Sequence, residues 1–142
     1  MVISIRKVAK LATLLPLFSI CASVFADESK QWLFEIRYSI AGISQTIPTQ
    51  QHNQCLSPAA PVPDISRPGY ECRSSNQSWF GKTLVWQVDC SNEWERIQGT
   101  GRVNFDKEKA AGDIHLQIIN PSSPPEYMVL SVQGKPLGAC TK

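Results

Sequence analysis

Beyond its first 26 residues, this 142-residue sequence lacks a long apolar run, a cluster of lysines and arginines, and a G-x-S-x-G motif. Without a long apolar run, no segment after residue 26 can form a helix that crosses a bilayer. Without a cluster of lysines and arginines, the chain lacks the basic patch of a nucleic-acid binder. Without G-x-S-x-G, it lacks the nucleophile motif of common serine hydrolases. Histidine is scarce as well, because only His52 and His115 occur. We therefore expect no nucleic-acid partner, no membrane span beyond residue 26 and no familiar catalytic apparatus.

The first 26 residues have the organisation of a secretory signal peptide. Three basic residues and no acid come first, the apolar run "LATLLPLFSICASVFA" covers residues 11–26, and Val24 and Ala26 form a V-x-A cleavage site. We predict cleavage after Ala26, export to the periplasm, and a single β domain over residues 27–142. Cleavage removes three of the 14 basic residues and none of the 12 acids, so the remaining chain has a net charge of about −1.

Two alternatives to a cleaved signal peptide can be weighed from the same residues. A membrane anchor is disfavoured because Pro16 interrupts a run of about 16 residues, whereas roughly 20 are needed to cross a bilayer. A lipoprotein acylated on Cys21 is disfavoured because the bulky Ile20 precedes that cysteine, where a small residue is expected. We expect Cys21 to be removed with the signal peptide.

Four cysteines remain after this cleavage: Cys55, Cys72, Cys90 and Cys140. An even number of cysteines in an exported chain predicts two disulfides. One alternative is a metal site, in which the H-x-x-C motif of His52 and Cys55 is completed by other cysteines and His115. Zinc ligands usually occur in closely spaced pairs, whereas the gaps between these cysteines are 17, 18 and 50 positions. A reactive thiol is the other alternative, and an oxidising compartment disfavours it. We predict structural disulfides and no metal or other cofactor.

Alternation of apolar and polar residues recurs after the signal peptide, while helical periodicity is scarce. The clearest runs are "QWLFEIRYS", "TLVWQVDC", "RIQGTGRVNF" and "DIHLQII". The residues predicted to form the core are Trp32, Phe34, Ile36, Trp86, Val88, Val103, Ile114 and Leu116. Gly99 and Gly101 fall on the apolar face of their strand, where glycine indicates a bulge, a sharp bend or the close approach of another group. Of these roles we expect a bend that curls the sheet. The two glycines do not form a dinucleotide loop, because that motif requires a helix after it.

These runs predict an all-β fold, an antiparallel meander of about seven or eight strands that forms a small barrel or a sandwich. Four prolines in "SPAAPVPDISRPG", residues 57–69, predict a loop between the second and third strands. If the strands run alternately up and down, all four cysteines gather at one end of the sheet. We predict a Cys55–Cys72 disulfide, which ties the ends of the proline-rich loop. We also predict Cys90–Cys140, which anchors the C-terminal tail. The alternative is Cys72–Cys90 across one hairpin, with Cys55 bonded to Cys140.

The order of these motifs resembles a family of small exported bacterial proteins known as the domain of unknown function number thirty-six seventeen. The matching elements are Trp32 with Glu35, "QCLSP" at 54–58, Cys72, "WQVDC" at 86–90, "GTG" at 99–101 and "LGAC" at 137–140. A methionine-rich hairpin common in that family is replaced here by "SIAGISQTIPTQ". The resemblance implies a periplasmic β-rich protein, and it implies no particular activity or catalytic residue.

The sequence favours a binding module over an enzyme. A small barrel of about eight strands can enclose one small ligand, and Trp32, Phe34, Trp86 and Phe105 are candidates to line an apolar ligand site. The alternative partner is another envelope protein, which would contact an exposed sheet edge or the proline-rich loop. A carbohydrate-active enzyme is a weaker hypothesis based on Asp89, Glu93 and Glu95 near Trp94, because glycosidases use two carboxylates beside an aromatic platform. These acids lie in "SNEWER", a segment that is typical of a solvated connection.

Overall fold

A computed structural model describes residues 29–45 and 47–141 of the protein, and these residues form seven β-strands. The strands are β1 (Lys30–Ile40), β2 (Gln50–Leu56), β3 (Glu71–Phe80), β4 (Thr83–Ser91), β5 (Arg96–Phe105), β6 (Ala110–Ile119) and β7 (Glu126–Ala139). The predicted signal peptide lies outside the described residues. No helix within the described ranges is long and apolar enough to cross a membrane.

The alternating residues form the strands because every second side chain reaches the same face of a sheet. All eight residues predicted for the core are buried. Leu130 and Val132 of β7 belong to the same cluster. Their strand is apolar at more consecutive positions than the other strands, so its buried face is less evident from the sequence. β3 differs from the other strands, because its side chains are almost all exposed and, before the aromatic pair at its end, mostly polar. The apolar faces of the other strands therefore build the core, and β3 contributes little to it.

All seven strands pair antiparallel in one curled sheet, with the order β2-β1-β7-β6-β5-β4-β3. The predicted all-β antiparallel fold is confirmed, and the sheet has the form of a half-barrel. Strands β3 to β7 form a continuous meander. The β1–β2 hairpin joins this meander through β7, whose residue Ala139 pairs with Lys30. This arrangement leaves β2 and β3 as the two edges of the half-barrel.

The two edge strands run in the same direction. We call end A the end where β2, β3 and β5 finish, at Leu56, Phe80 and Phe105, and end B the opposite end. Residues 57–70 must therefore travel from end A back to end B before β3 can begin. Strands that run parallel require such a crossover of about a dozen residues or more. The proline-rich segment is this crossover, and it does not close a hairpin.

The crossover is packed against the core and held by side chains. Pro61 and Pro63 are buried, and Val62 packs against the core cluster. The amide of Gln54 donates a hydrogen bond from Nε2 to the Val62 carbonyl (3.1 Å) and accepts one at Oε1 from the Asp64 backbone N–H (2.7 Å). Since proline removes a backbone donor, this side chain replaces part of the ladder that a strand would make.

The disulfides are Cys55–Cys140, with a Cα–Cα distance of 5.6 Å, and Cys72–Cys90, with a Cα–Cα distance of 4.0 Å. The predicted pairs Cys55–Cys72 and Cys90–Cys140 are therefore wrong, and the alternative pairing is the one observed. The reason is the direction of the crossover, which places Cys55 at end A and Cys72 at end B. The expectation that all four cysteines meet at one end is wrong for the same reason. Cys72 pairs directly with Cys90 in the β3–β4 ladder.

Candidate functional site

An apolar groove of about 590 Å³ lies at end A of the half-barrel. Its lining residues are Lys30, Trp32, Leu56, Ser57, Pro58, Pro61, Trp79 and Phe105. One wall comes from β1, the end of β2 and the start of the crossover, and the other comes from β3 and β5. The groove is thus the part of the gap between the two sheet edges that the crossover leaves open. Its size falls within the range of about 300–1,000 Å³ typical of small-molecule sites.

Three aromatic rings form a continuous layer along the groove. The rings of Trp32 and Phe105 meet edge to face, with centroids 5.5 Å apart. Trp79 adds a tilted contact to Phe105 at 5.8 Å. Below this layer, the ring of Phe34 lies nearly parallel to that of Trp32, at 6.0 Å. These contacts fix Trp32 and Phe105 from several sides, so the groove has a preformed aromatic floor.

A β-bulge directs Trp79 into the groove. The pairing of β3 with β4 shifts between Ser75 and Ser78, so that Trp79 comes to lie opposite the fully buried Leu84. Asn76 lies within this bulge at φ 51°, in the left-handed region that asparagine tolerates better than most residues. A shift of one residue transfers every following side chain to the other face of a strand. Without the bulge, Phe80 would face the groove and Trp79 would face solvent.

Trp79 is 50% exposed although it faces the groove. Half of this large indole surface remains open to solvent, because β3 is an edge strand with no neighbour beyond it. Lys30 is the one charged side chain among the described residues that line the groove. The groove therefore presents apolar surface with a single positive charge at its rim.

The four predicted ligand-lining aromatics fall into two groups. Trp32 and Phe105 line the groove, whereas Phe34 and Trp86 are fully buried in the core below it. Sequence reasoning missed Trp79 because simple alternation along β3 cannot reveal a bulge. The aromatic pair in "SWFGK", next to a turn glycine, is the signal that draws attention to this hairpin.

The three carboxylates considered for a carbohydrate-active enzyme have different surroundings and different partners. Asp89 binds the guanidinium of Arg96 on the outer face of the sheet, and this hydrogen bond lowers the pKa of Asp89. Glu95 accepts a hydrogen bond from the Tyr70 hydroxyl, which raises the pKa of Tyr70. Glu93 lines an open cleft at end B together with Trp94, which is 75% exposed. Two of the three acids thus have partners within the protein.

The residues considered for a metal site are also accounted for. All four cysteines of the described chain form disulfides and cannot act as thiolate ligands. His52 packs its ring against Phe34 at 5.7 Å, and His115 lies on the outer face of β6. Residues 29–45 and 47–141 contain no group of three or more histidines, cysteines or acids placed to hold a metal ion.

Comparisons with family models, curated proteins and solved structures find no match to this chain.

Proposed function

We propose that the protein is a non-enzymatic binding module whose groove at end A holds a small apolar ligand. The observation that carries this proposal is the half-exposed Trp79, which the bulge turns onto the preformed layer of Trp32 and Phe105. An apolar ligand in this groove would cover aromatic surface that is now exposed. Covering such surface stabilises a complex by about 25 cal/mol for each Å² removed from water. Aromatic side chains bury large areas and dominate the energetics of interfaces.

The test measures binding of the apolar fluorophore N-phenyl-1-naphthylamine to the full mature chain and its variants. We expect Trp79→Ala to weaken binding about tenfold, as the loss of a partly buried aromatic contact implies. Trp94→Ala is the matched control, because Trp94 is even more exposed but lies at end B. Trp79→Phe retains a ring and should recover part of the affinity, and it provides a second variant if the alanine variant unfolds.

Equal probe affinity in the Trp79→Ala and Trp94→Ala variants would overturn the assignment of the groove. A second function, docking of another envelope protein, is supported by the exposed edge of β3, where Phe80 is 66% exposed. Native mass spectrometry of the protein purified from its own compartment separates the two functions. A co-purifying small molecule supports the groove, while a co-purifying protein together with no probe binding supports the edge.

We infer that the protein acts after export, in the periplasm. Two disulfides are typical of chains that fold in an oxidising compartment, and the resemblance drawn from the motif order implies the same location. We expect the mature chain to begin at Asp27. N-terminal sequencing of the protein from a periplasmic fraction checks this, and retention of the first 26 residues or an acylated Cys21 would contradict it.

A further inference from the structure

A second cavity, of about 290 Å³, lies at end B, remote from the aromatic groove. Its apolar lining includes Ile40, Ile118 and Met128, from β1, β6 and β7. Its polar lining includes Tyr38, Gln50 and Arg67, of which Arg67 belongs to the crossover. An apolar cavity with a few converging polar groups is the usual form of a small-molecule site. The cavity shares no lining residue with the groove at end A.

Arg67 has a defined position but no acidic partner among the described residues. Its guanidinium carbon lies 5.7 Å from the centre of the Tyr70 ring, a cation–π contact that supports the side chain from one side. The ion pairs within residues 29–45 and 47–141 are Arg37–Glu35, Lys82–Asp106 and Arg96–Asp89, and none of them includes Arg67. Arg67 therefore offers a free, oriented guanidinium at the cavity.

Two acids near Arg67, Asp64 in the crossover and Glu95 at Tyr70, have other partners. Asp64 accepts hydrogen bonds from the hydroxyl and the backbone N–H of Ser66. Glu95 accepts the hydroxyl of Tyr70 and does not pair with the guanidinium that covers the ring of that tyrosine. The positive charge of Arg67 is consequently not neutralised by these carboxylates.

Two polar groups of β1 and β2 lie beside this charge. The Tyr38 hydroxyl donates a hydrogen bond to Gln50 Oε1 at 3.0 Å, which orients both side chains. Burial raises the pKa of Tyr38, and the nearby charge of Arg67 acts in the opposite direction. Arg67 is thus close enough to act electrostatically on the Tyr38 hydroxyl, which lines the cavity. Its positive charge would also attract a bound anion.

We propose that the cavity at end B binds the anion of a short aliphatic carboxylic acid. The carboxylate would accept paired hydrogen bonds from Arg67, since guanidinium and carboxylate match in a two-pronged geometry. The alkyl chain would lie against Ile40, Ile118 and Met128. Such a ligand connects the crossover to β1 and β7, so its binding also stabilises the segment that covers the gap between the sheet edges.

The test uses hexanoate as the probe and hexanamide as its uncharged counterpart, added to the intact mature protein. Binding is followed by calorimetry and by NMR of the Ile40, Ile118 and Met128 methyl groups. We expect hexanoate to shift these methyl signals and to bind about tenfold more tightly than hexanamide, as a charge-assisted hydrogen bond implies. Arg67→Gln should lower the hexanoate affinity to that of hexanamide and leave hexanamide binding unchanged.

Arg37→Gln is the matched control, because Arg37 is also an exposed arginine but it pairs with Glu35 on β1. We expect this variant to bind hexanoate like the unmodified protein. Equal affinities for hexanoate and hexanamide in the unmodified protein would overturn the proposal without any variant. Methyl shifts confined to residues near Trp79 would also overturn it, since they would place the probe in the groove at end A.

Discussion

Glycines lie opposite large aromatic side chains at two points of the core. Gly101 pairs with Trp86 across the β4–β5 ladder, and a Cβ added at Gly101 would meet the indole ring. Gly134 pairs with Phe34, and a Cβ there would lie 2.7 Å from the ring. At both places the missing side chain lets an aromatic ring lie flat over a neighbouring strand. For the G-x-G glycines the sequence predicts a bend that curls the sheet, whereas at Gly101 the structure shows the close approach of the Trp86 ring.

The first prediction concerns Gly101→Ala. The added methyl collides with Trp86, so we expect a loss of about 1–3 kcal/mol in the free energy of unfolding, as for other overpacked cores. Denaturant unfolding measures the loss, and Thr100→Ala on the outer face of the same strand is the control. Combining Gly101→Ala with Trp86→Leu should cost less than the sum of the two single changes, because the ring that causes the collision is gone. Additive losses would show that Gly101 is required for another reason.

Among the elements, the crossover has the weakest backbone bonding. Residues 57–70 belong to none of the seven strands. Their backbone hydrogen bonds are local, at Ser57–Ala60 and Arg67–Tyr70, and side-chain contacts fix the segment to the rest of the protein. Gln54 binds the middle of the crossover, the Asp64–Ser66 pair shapes its next turn, and Tyr70 fastens its end to Glu95. An element held in this way should respond to conditions that leave the ladders unchanged. Acid is one such condition, because two of the three contacts include a carboxylate.

The second prediction concerns the pH response of the crossover. The hydroxyl of Ser66 lowers the pKa of Asp64 below its ordinary value of 3.8, against the opposing effect of burial. The stability from this contact is therefore complete above pH 3.8 and is lost as the pH falls through the lowered pKa. We expect the Ser66 amide to lose protection from hydrogen exchange at acidic pH before the β4–β5 ladder does.

Asp64→Asn tests the cause of this response. The variant should lack the acid-dependent step at Ser66, because asparagine does not titrate. Asp106→Asn is the control, since Asp106 also has a lowered pKa but lies in the turn after β5. An unchanged acid-dependent step in Asp64→Asn would assign the response to another group.

At the scale of the whole molecule, each edge of the half-barrel is fastened by one disulfide. Cys72–Cys90 joins edge strand β3 to its only neighbour at end B. Cys55–Cys140 joins the end of edge strand β2 to the residue after β7, across the intervening β1. An open sheet edge can unravel or pair with other chains. The two bonds act against unravelling at opposite ends of the molecule.

The third prediction compares the two disulfides by paired cysteine-to-serine substitution. Their sequence separations are 85 and 18 residues. Chain-entropy arguments then assign about 4.6 kcal/mol to Cys55–Cys140 and about 3.2 kcal/mol to Cys72–Cys90. Thermal or denaturant unfolding of the two double variants should show the larger loss for the Cys55–Cys140 pair. A larger loss for Cys72–Cys90 would indicate that local packing of β3 outweighs loop closure.

Sequence reasoning identified the buried faces because alternation is a local property of each strand. Trp86 and Ile114 could be assigned to the core from their own segments alone. The direction of residues 57–70 could not be predicted in this way, because prolines exclude a strand but do not distinguish a hairpin loop from a crossover. That one ambiguity produced the wrong cysteine pairs. Trp79 was missed for a related reason, because a bulge changes which face a residue occupies and leaves no trace in alternation.

The nested order of the disulfides has a consequence for how the protein matures. A chain that enters an oxidising compartment from its N-terminus presents Cys55 first, and Cys72 and Cys90 follow it. The native partner of Cys55 is Cys140, which is the last cysteine to arrive. Under the export that we propose, Cys55 would therefore meet two incorrect partners while the chain is still emerging, and only Cys72–Cys90 could form correctly at that stage. Efficient production should depend on a thiol–disulfide isomerase rather than on an oxidase alone.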